Sequence, residues 1–301
     1  MKHPTVKQLR YFVALTESGH FGRAAEACHV SQSAFSNAIA ELEAVLECRL
    51  VDRTNRQVTI TAVGREVAVQ ARLVLRDLDS LVEIAGERRA PLTGDLRLGV
   101  IPTIAPFMLP GVLPELRQAY PELTLYLHEG QTLEIHRKLL DGDLDVLLLA
   151  LPYELRSVAT MPLFDDRFYL AYREGTTRVD PGNYRFNRLH ADSVLLLEDG
   201  HCLRDHALAA CKIRNTEKVR RFAASSLLTL VEMVDADLGI TFLPEMARGS
   251  LMLRNTQVRM KLVDEKSHRT IGLAWRKGSG RAAEFRLLGE FIRDHRGYGS
   301  G

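Results

Sequence analysis

The chain has 301 residues, a length that corresponds to about two ordinary domains. Its composition, 46% hydrophobic and 26% charged, is typical of a globular protein and excludes wholesale disorder. The 40 basic and 38 acidic residues leave a formal charge of +2, so bulk charge identifies no partner and any binding of nucleic acid must be argued from pattern.

Residues 1–60 are predicted to form three short helices followed by a hairpin, which is the pattern of a winged helix-turn-helix. The apolar spacing within 9–15 predicts the first helix, and the small residues of 21–28 suit a closely packed second helix. Ser31 is a good N-cap for the third helix, and 53–60 are predicted to form a turn and a short strand, the wing.

Residues 61–94 are predicted to form a long helix and a hinge. Thr61 can cap a helix that runs to about residue 87, with a narrow apolar stripe that includes Val67 and Val74. A single helix of that length cannot bury such a stripe by itself, so the sequence predicts a partner chain.

From residue 95 onward, predicted strands and helices alternate. Such alternation indicates an α/β domain, and we expect a largely parallel sheet. The predicted strands are 95–101, 123–128, 144–151, 168–172, 194–197, 239–243 and 270–275, and the predicted helices are 105–120, 133–140, 203–211, 226–234 and 282–293.

No membrane or export segment is predicted. The longest clean apolar run, Val146–Leu151, is far shorter than the about 20 residues that cross a bilayer. Residues 1–19 contain Glu17 and a helical spacing in place of the apolar stretch of a signal peptide. We therefore expect a cytoplasmic protein without a membrane partner, in which the four cysteines do not form a disulfide framework.

Two of the cysteines suggest redox chemistry. Cys202 falls at a predicted helix start beside His201 and near Arg204, where the helix terminus and the cations would favour a thiolate. A thiolate attacks peroxide to give a sulfenic acid, which a second cysteine can trap as a disulfide. Cys211 follows nine residues later. The residues alone also allow the two to be unrelated, with one of them simply buried, and we expect Cys28 and Cys48 to be apolar filler or incidental.

No metal or cofactor is predicted. The adjacent pairs Cys28-His29 and His201-Cys202 lack the spacing of metal ligands. The glycine-containing segment Gly278–Ala283 fits a loose dinucleotide-binding pattern, but no second strand or ribose-binding acid follows, so we interpret it as a strand-to-helix turn.

The outward face of the third helix is predicted to read DNA. Amide side chains suit adenine edges in the major groove, hydroxyls can contact several bases, and arginines commonly hold phosphates. The candidate reading residues are Ser31, Gln32, Ser33, Ser36 and Asn37, and the candidate phosphate contacts are Arg23, Arg53 and Arg56.

Several motifs carry a resemblance to a known family. Leu9–Leu15, Phe21–Ala25 and Val30–Ser33 together resemble the helix-turn-helix of the LysR-type transcriptional regulators. The segments Gly99–Thr103, Tyr126–Thr132, Leu197–Asp205, Gly239–Thr241 and Arg269–Leu273 are similar to those of the peroxide-sensing members of that family.

The resemblance implies a fold and a domain organisation. It implies a mainly α winged helix-turn-helix domain at 1–60, a linker helix and hinge at 61–94, and an effector domain at 95–301. The effector domain would be an α/β fold like a periplasmic binding protein, with two sub-lobes. The first lobe would comprise 95–165 and 269–301, and the second 166–268.

The resemblance also implies a redox site. Cys202 would be the peroxidatic cysteine and Cys211 the resolving one. On an intact helix the two sulfurs would lie on the order of 13 Å apart along the axis, whereas a disulfide needs Cα atoms within about 7 Å, so oxidation would require the helix to melt. The implied peroxide pocket consists of Thr103, Thr132, His201, Cys202 and Arg269.

The implied function is that of a transcriptional activator that binds promoter DNA, senses hydrogen peroxide and is not an enzyme. Its implied partners are a second pair of chains in a homotetramer, RNA polymerase, and a thiol reductant such as glutaredoxin or thioredoxin. Two alternatives stay open at this point. One is a LysR-type regulator that binds a small organic effector with inert cysteines, and the other is a thiol peroxidase that uses Cys202 in every turnover.

Overall fold

The computed structural model describes residues 3–53, 58–85, 91–153, 157–184, 189, 193–210, 219 and 224–295. The chain divides into two compact units. The first comprises Met1–Arg89, Leu140–Asp143 and Ser279–Arg281, and the second comprises Ala90–Leu139, Leu144–Gly278 and Ala282–Gly301. Within the described residues, no helix is both long and apolar enough to cross a membrane.

The first unit begins with the predicted helix-turn-helix. Its helices are α1 (Val6–Ser18), α2 (Phe21–Ala27) and α3 (Gln32–Leu46), and its hairpin pairs β1 (Val51–Arg53) with β2 (Val58–Ile60). Side chains fix the helix starts, because a reciprocal capping box opens α1 and the Ser31 hydroxyl accepts from the Ala34 amide to open α3. The three helices bury one apolar cluster that includes Phe12, Leu15, Phe35, Ile39 and Leu42.

The long helix α4 (Ala62–Ala85) follows the hairpin. The Thr61 hydroxyl accepts a hydrogen bond from the Gly64 amide at 2.9 Å, which confirms the predicted cap. Part of the apolar stripe of α4 is exposed among the described residues, where Val63 is 48% and Val74 44% exposed. These residues line an apolar groove together with Leu9, Leu46 and Val67.

The second unit is built on one seven-stranded sheet. The sheet has the strand order β4-β3-β5-β9-β6-β7, and β8 also pairs with β6. The strands are β3 (Gly94–Val100), β4 (Leu123–Glu129), β5 (Val146–Leu151), β6 (Val158–Arg173), β7 (Thr241–Pro244), β8 (Val258–Leu262) and β9 (His268–Arg276). The helices are α5 (Ala105–Ala119), α6 (Thr132–Leu140), α7 (Cys202–Ala210), α8 (Leu227–Asp235) and α9 (Ala282–Asp294).

The predicted largely parallel sheet is wrong. β3 pairs in parallel with β4 and β5, but β9 lies between β5 and β6 and runs antiparallel to both. β6 is also antiparallel to β7 and β8. Alternation of strands and helices identified the first three strands, whereas the strand direction of the later ones depends on contacts between distant parts of the chain.

Three strand predictions also need correction. The predicted strand 194–197 forms only isolated bridges, from Val194 and Leu197 to residues outside the named strands. β6 starts at Val158, well before the predicted start at residue 168, and β8 was not predicted. The helices α5 to α9 lie where the sequence predicted helices, within the described residues.

The long strands β6 and β9 determine where the functional site lies. They pair along most of their length, and Asp166 of β6 faces Arg269 of β9 across the ladder. Beyond this pair, β6 continues into a second apolar core that includes Phe168, Leu170, Val231 and Phe242.

Candidate functional site

Three loops of the second unit form a narrow pocket around a cysteine. We call it the thiol pocket. Its lining residues follow β3 and β4 or begin α7, and they are Ile101, Pro102, Thr103, Gln131, Thr132, Gly200, His201 and Cys202. Cys202 is the first residue of α7, carries a free thiol and is 5% exposed. Four of the five residues predicted for the peroxide pocket therefore line it.

The fifth, Arg269, lies beneath the pocket with its side chain fully buried. Its Nη1 donates to Thr103 Oγ1 and its Nη2 to the Thr103 carbonyl, both at 2.9 Å. Its Nε donates to Asp166 Oδ2 at 2.9 Å, and Asp166 Oδ1 accepts from the Met246 amide at 3.1 Å. Arg269 thus holds the strand end that carries Thr103 and fixes one side of the pocket.

Opposing effects act on the pKa of Asp166 in the buried ion pair. Burial raises the pKa of this carboxyl, whereas the charge and hydrogen bond of Arg269 and the Met246 amide lower it. A buried charge of this kind is costly unless its partner stays in place. The pair therefore couples the pocket floor to β6 and β9.

The prediction that its surroundings lower the pKa of Cys202 is wrong. Burial raises the pKa of the Cys202 thiol above its ordinary value, and Asp205 raises it further. Arg269 and the Thr132 hydroxyl lower this pKa but do not offset the lost hydration. Arg204, which the sequence placed near the thiol, instead makes an ion pair with Asp199 at 3.1 Å. The resting cysteine is therefore a neutral thiol beside groups that favour its anion.

Thr132 contributes a buried hydroxyl to the pocket. Its Oγ1 makes no hydrogen bond of normal geometry to any residue of the described chain. An unpaired buried hydroxyl is unfavourable, because burial removes the water that would otherwise bond to it. A small polar ligand in the pocket would satisfy this atom.

Gly200 and Gln131 approach each other closely in the lining of the pocket. Gly200 has a φ of +98°, and a Cβ atom at this position would lie 2.5 Å from Gln131 Oε1. A side chain there would therefore be strained and would displace Gln131. Sequence reasoning did not single out Gln131, although it directly precedes the predicted Thr132.

In the first unit, α3 presents the predicted polar surface. Gln32, Ser33 and Asn37 are exposed and Ser36 is half-buried. Ser31 is also exposed, but its hydroxyl caps α3. The Arg23 Nη2 donates to the Ser18 carbonyl at 2.8 Å. The side chain of Arg53, and Arg56 as a whole, lie outside the described residues.

Two segments of the chain each match a sequence profile of the same protein family. A sequence profile described as "LysR substrate binding domain" matches residues 89–297, and one described as "Bacterial regulatory helix-turn-helix protein, lysR family" matches residues 6–65. The chain belongs to the LysR family of transcriptional regulators. It is therefore a member of a transcription factor family and not of an enzyme family.

Two relatives of similar sequence identity carry different names. The chain is 40% identical over 288 residues to the "DNA-binding transcriptional dual regulator OxyR" of Escherichia coli, covering 96% of this chain and 94% of that protein. It is 39% identical over 291 residues to the "HTH-type transcriptional regulator EstR" of Acinetobacter baylyi, covering 96% of each.

Solved LysR-family structures confirm the expected fold. A full-length OxyR variant from Pseudomonas aeruginosa aligns with a TM-score of 0.80 at 33% identity, covering 97% of this chain and 96% of that one. A cysteine-to-serine mutant of Corynebacterium glutamicum OxyR with H₂O₂ bound aligns with a TM-score of 0.65 at 32% identity, covering 98% and 93%. The winged helix-turn-helix and two-lobed effector domain are those of the LysR family.

Several predictions concern residues or boundaries that the structure does not test. Cys211 lies outside the described residues, so its pairing with Cys202 stays a prediction. Among the described residues, no cluster of three or more His, Cys, Asp or Glu side chains could hold a metal ion. The domain and lobe boundaries also stay predictions.

Proposed function

We propose that this LysR-type regulator senses hydrogen peroxide through Cys202 and switches genes of the oxidative-stress response. The observation that carries the proposal is the environment of the thiol. Cys202 lies in a narrow pocket that also contains the buried Thr132 hydroxyl, with the Arg269 guanidinium beneath it. The LysR relatives that are named for peroxide induction or solved with H₂O₂ bound support it.

The proposed chemistry uses these groups in a defined order. The sulfur of Cys202 attacks one oxygen of H₂O₂, so that an S–O bond forms and the O–O bond breaks. Sulfur loses two electrons, and the departing hydroxide takes the thiol proton and leaves as water. Arg269 and Thr132 lower the pKa of Cys202 and therefore stabilise the developing sulfur anion.

The sulfenic acid is then resolved by Cys211. The Cys211 thiolate attacks the Cys202 sulfur, an S–S bond forms, and the S–O bond breaks to release hydroxide, which is protonated to water. Because α7 is helical from Cys202 to Ala210, this bond requires the helix to unwind. A reductant such as glutaredoxin or thioredoxin would restore both thiols.

The side chains around Cys202 separate this proposal from a regulator that binds an organic effector. A thiol, two threonine hydroxyls and an imidazole line the pocket and can hydrogen-bond a small polar oxidant. Sites for organic ligands are instead lined mostly by apolar side chains.

For DNA binding, we propose that α3 reads promoter DNA in the major groove with Ser31, Gln32, Ser33, Ser36 and Asn37. Arg23, Arg53 and Arg56 would hold phosphates. We propose that a second copy covers the exposed stripe of α4, and that two such pairs form a homotetramer that acts with RNA polymerase in the cytoplasm.

The decisive experiment follows the thiols of the intact protein. Brief exposure to stoichiometric H₂O₂, with a sulfenic-acid probe and mass spectrometry, should label Cys202 in a Cys211→Ser variant and give a Cys202–Cys211 disulfide in the wild type. Labelling mainly at Cys28 or Cys48 would contradict the proposal. A promoter response retained by Cys202→Ser would favour the effector alternative, and catalytic consumption of peroxide would favour the peroxidase.

A further inference from the structure

The imidazole of His206 is placed on the same face of α7 as the reactive thiol. Cys202 and His206 are four residues apart on this helix, a spacing that puts Cβ atoms about 5–6 Å apart. Helical side chains lean toward the N-terminus, so the ring of His206 leans toward the turn that carries Cys202.

A backbone carbonyl fixes the tautomer of His206. Its Nε2 lies 3.1 Å from the carbonyl oxygen of Pro152. A carbonyl oxygen only accepts, so Nε2 carries the hydrogen and donates it, which leaves the lone pair on Nδ1. That Nδ1 atom is buried and has no hydrogen-bond partner in the described part of the chain. His206 thus holds a base without a proton in a place that water does not reach.

Electrostatic contacts show that His206 and Cys202 share one environment. Arg269 lowers the pKa of both groups. Tyr153, which follows the anchoring Pro152, has its pKa raised by burial and by the neighbouring charges of Cys202 and Asp205. Arg269 and Asp205 therefore act on both the thiol and the imidazole.

We propose that Nδ1 of His206 accepts the proton of the Cys202 thiol as the sulfur attacks peroxide. This inference rests on the proposed peroxide chemistry. The S–H bond breaks toward Nδ1 while the S–O bond forms and the O–O bond breaks. The imidazolium then gives its proton to the departing hydroxide, which leaves as water, so His206 returns to its neutral form and the two electrons come from sulfur.

The protonation states of the pair agree with this role. Burial lowers the pKa of His206 below its ordinary value, an effect that Arg269 strengthens and that Pro152 and Asp205 oppose. The imidazole is therefore neutral at pH 7, whereas the thiol is protonated because burial raises its pKa. Complete transfer in the resting protein is unfavourable, so the proton moves only as the sulfur–oxygen bond forms.

The test is the pH dependence of Cys202 oxidation in the full-length Cys211→Ser background, with sulfenic acid followed by rapid mixing with H₂O₂. With His206 as acceptor, the rate constant should be flat between the pKa values of His206 and Cys202 and fall at lower pH. In His206→Gln, an amide can still donate to Pro152 but cannot take a proton. There the rate at pH 7 should fall roughly 10–100-fold and rise about tenfold per pH unit, because only preformed thiolate reacts.

Controls separate the role in chemistry from a role in folding. His295→Gln changes an exposed histidine and should keep the wild-type profile. His206→Leu removes both the acceptor and the donor to Pro152 and should show the same steep pH dependence as His206→Gln, while urea unfolding reports any loss of stability. A flat profile at the wild-type rate in His206→Gln would overturn the inference alone. Absence of Cys202 oxidation in the parent protein would overturn the proposed function and this inference together.

Discussion

The polar face of α3 and the thiol pocket are built in opposite ways. The first consists mostly of exposed side chains on a single helix, placed by the local helical repeat. The second consists of buried groups that distant parts of the chain bring together, since Arg269 contacts Thr103 across 166 residues and Asp166 across 103. On the exposed face, residues should act independently, whereas in the pocket the loss of one group leaves its partners unsatisfied.

The largest expected effect is at the pocket floor. Arg269→Met should lower the free energy of unfolding by about 3–5 kcal/mol, because it leaves the Asp166 carboxylate buried without its partner. Urea denaturation measures this value. The matched control is Arg259→Met, which removes an exposed ion pair to Glu174 and should cost less than about 1 kcal/mol.

The double variant Asp166→Leu/Arg269→Met tests whether the lost stability comes from the unpaired Asp166 carboxylate. Removing both charges eliminates the uncompensated carboxylate, so much of the lost stability should return. Equal destabilisation by the single and double variants would show that the two groups do not depend on each other.

A smaller effect is expected on the exposed face. Asn37→Ala should weaken DNA binding by about 1–3 kcal/mol and relax the preference at one base position, with stability unchanged to within about 0.5 kcal/mol. Binding to a panel of single-base operator variants, followed by urea denaturation, measures both quantities. Unchanged affinity at every site would mean that α3 meets DNA through another face.

Arg56→Ala should weaken the binding of all DNA sequences to a similar extent. Loss of one phosphate contact should weaken all operators about equally and reduce the slope of log affinity against log salt by about one. Salt titrations of binding to matched specific and nonspecific duplexes measure this slope. A change confined to one operator would assign Arg56 to base reading instead.

The smallest effect is expected for an ion pair beside the buried one. Hydrogen bonds from Arg167 lower the pKa of Glu245, so Glu245 contributes stability above the pKa of an unfolded glutamate and loses it as the pH falls. Glu245→Gln should therefore cost about 0.2–1 kcal/mol at pH 7, since the pair is partly exposed, and nothing in acid. Unfolding at a series of pH values checks this, and a cost that persists in acid would contradict the electrostatic cause.

Local patterns allowed much of the fold to be predicted. Caps at Thr61 and Ser31 and apolar periodicity placed the helices within a few residues of their observed bounds. Strand pairing was harder, because Val258–Leu262 is a short alternating segment and the direction of β9 is set by neighbours that the periodicity does not contain. Those features depend on long-range contacts.

The same contrast between local patterns and long-range contacts applies to the thiol pocket. The resemblance brought Thr103, Thr132, His201 and Cys202 together, and the structure places all four on one pocket. The burial of the thiol, which reverses the expected direction of its pKa, was not visible from its neighbours in sequence. Asp166 and His206 were missed because their roles come from a cross-strand pairing and a carbonyl more than fifty positions away.

The approach of Gly200 to Gln131 makes the loop that leads into Cys202 intolerant of side chains. Every other residue at position 200 would have to adopt a φ of +98° and displace the Gln131 side chain. Any such substitution would therefore alter two of the residues that line the thiol pocket. Over evolutionary time, glycine should be retained at this position wherever the geometry of the pocket is retained.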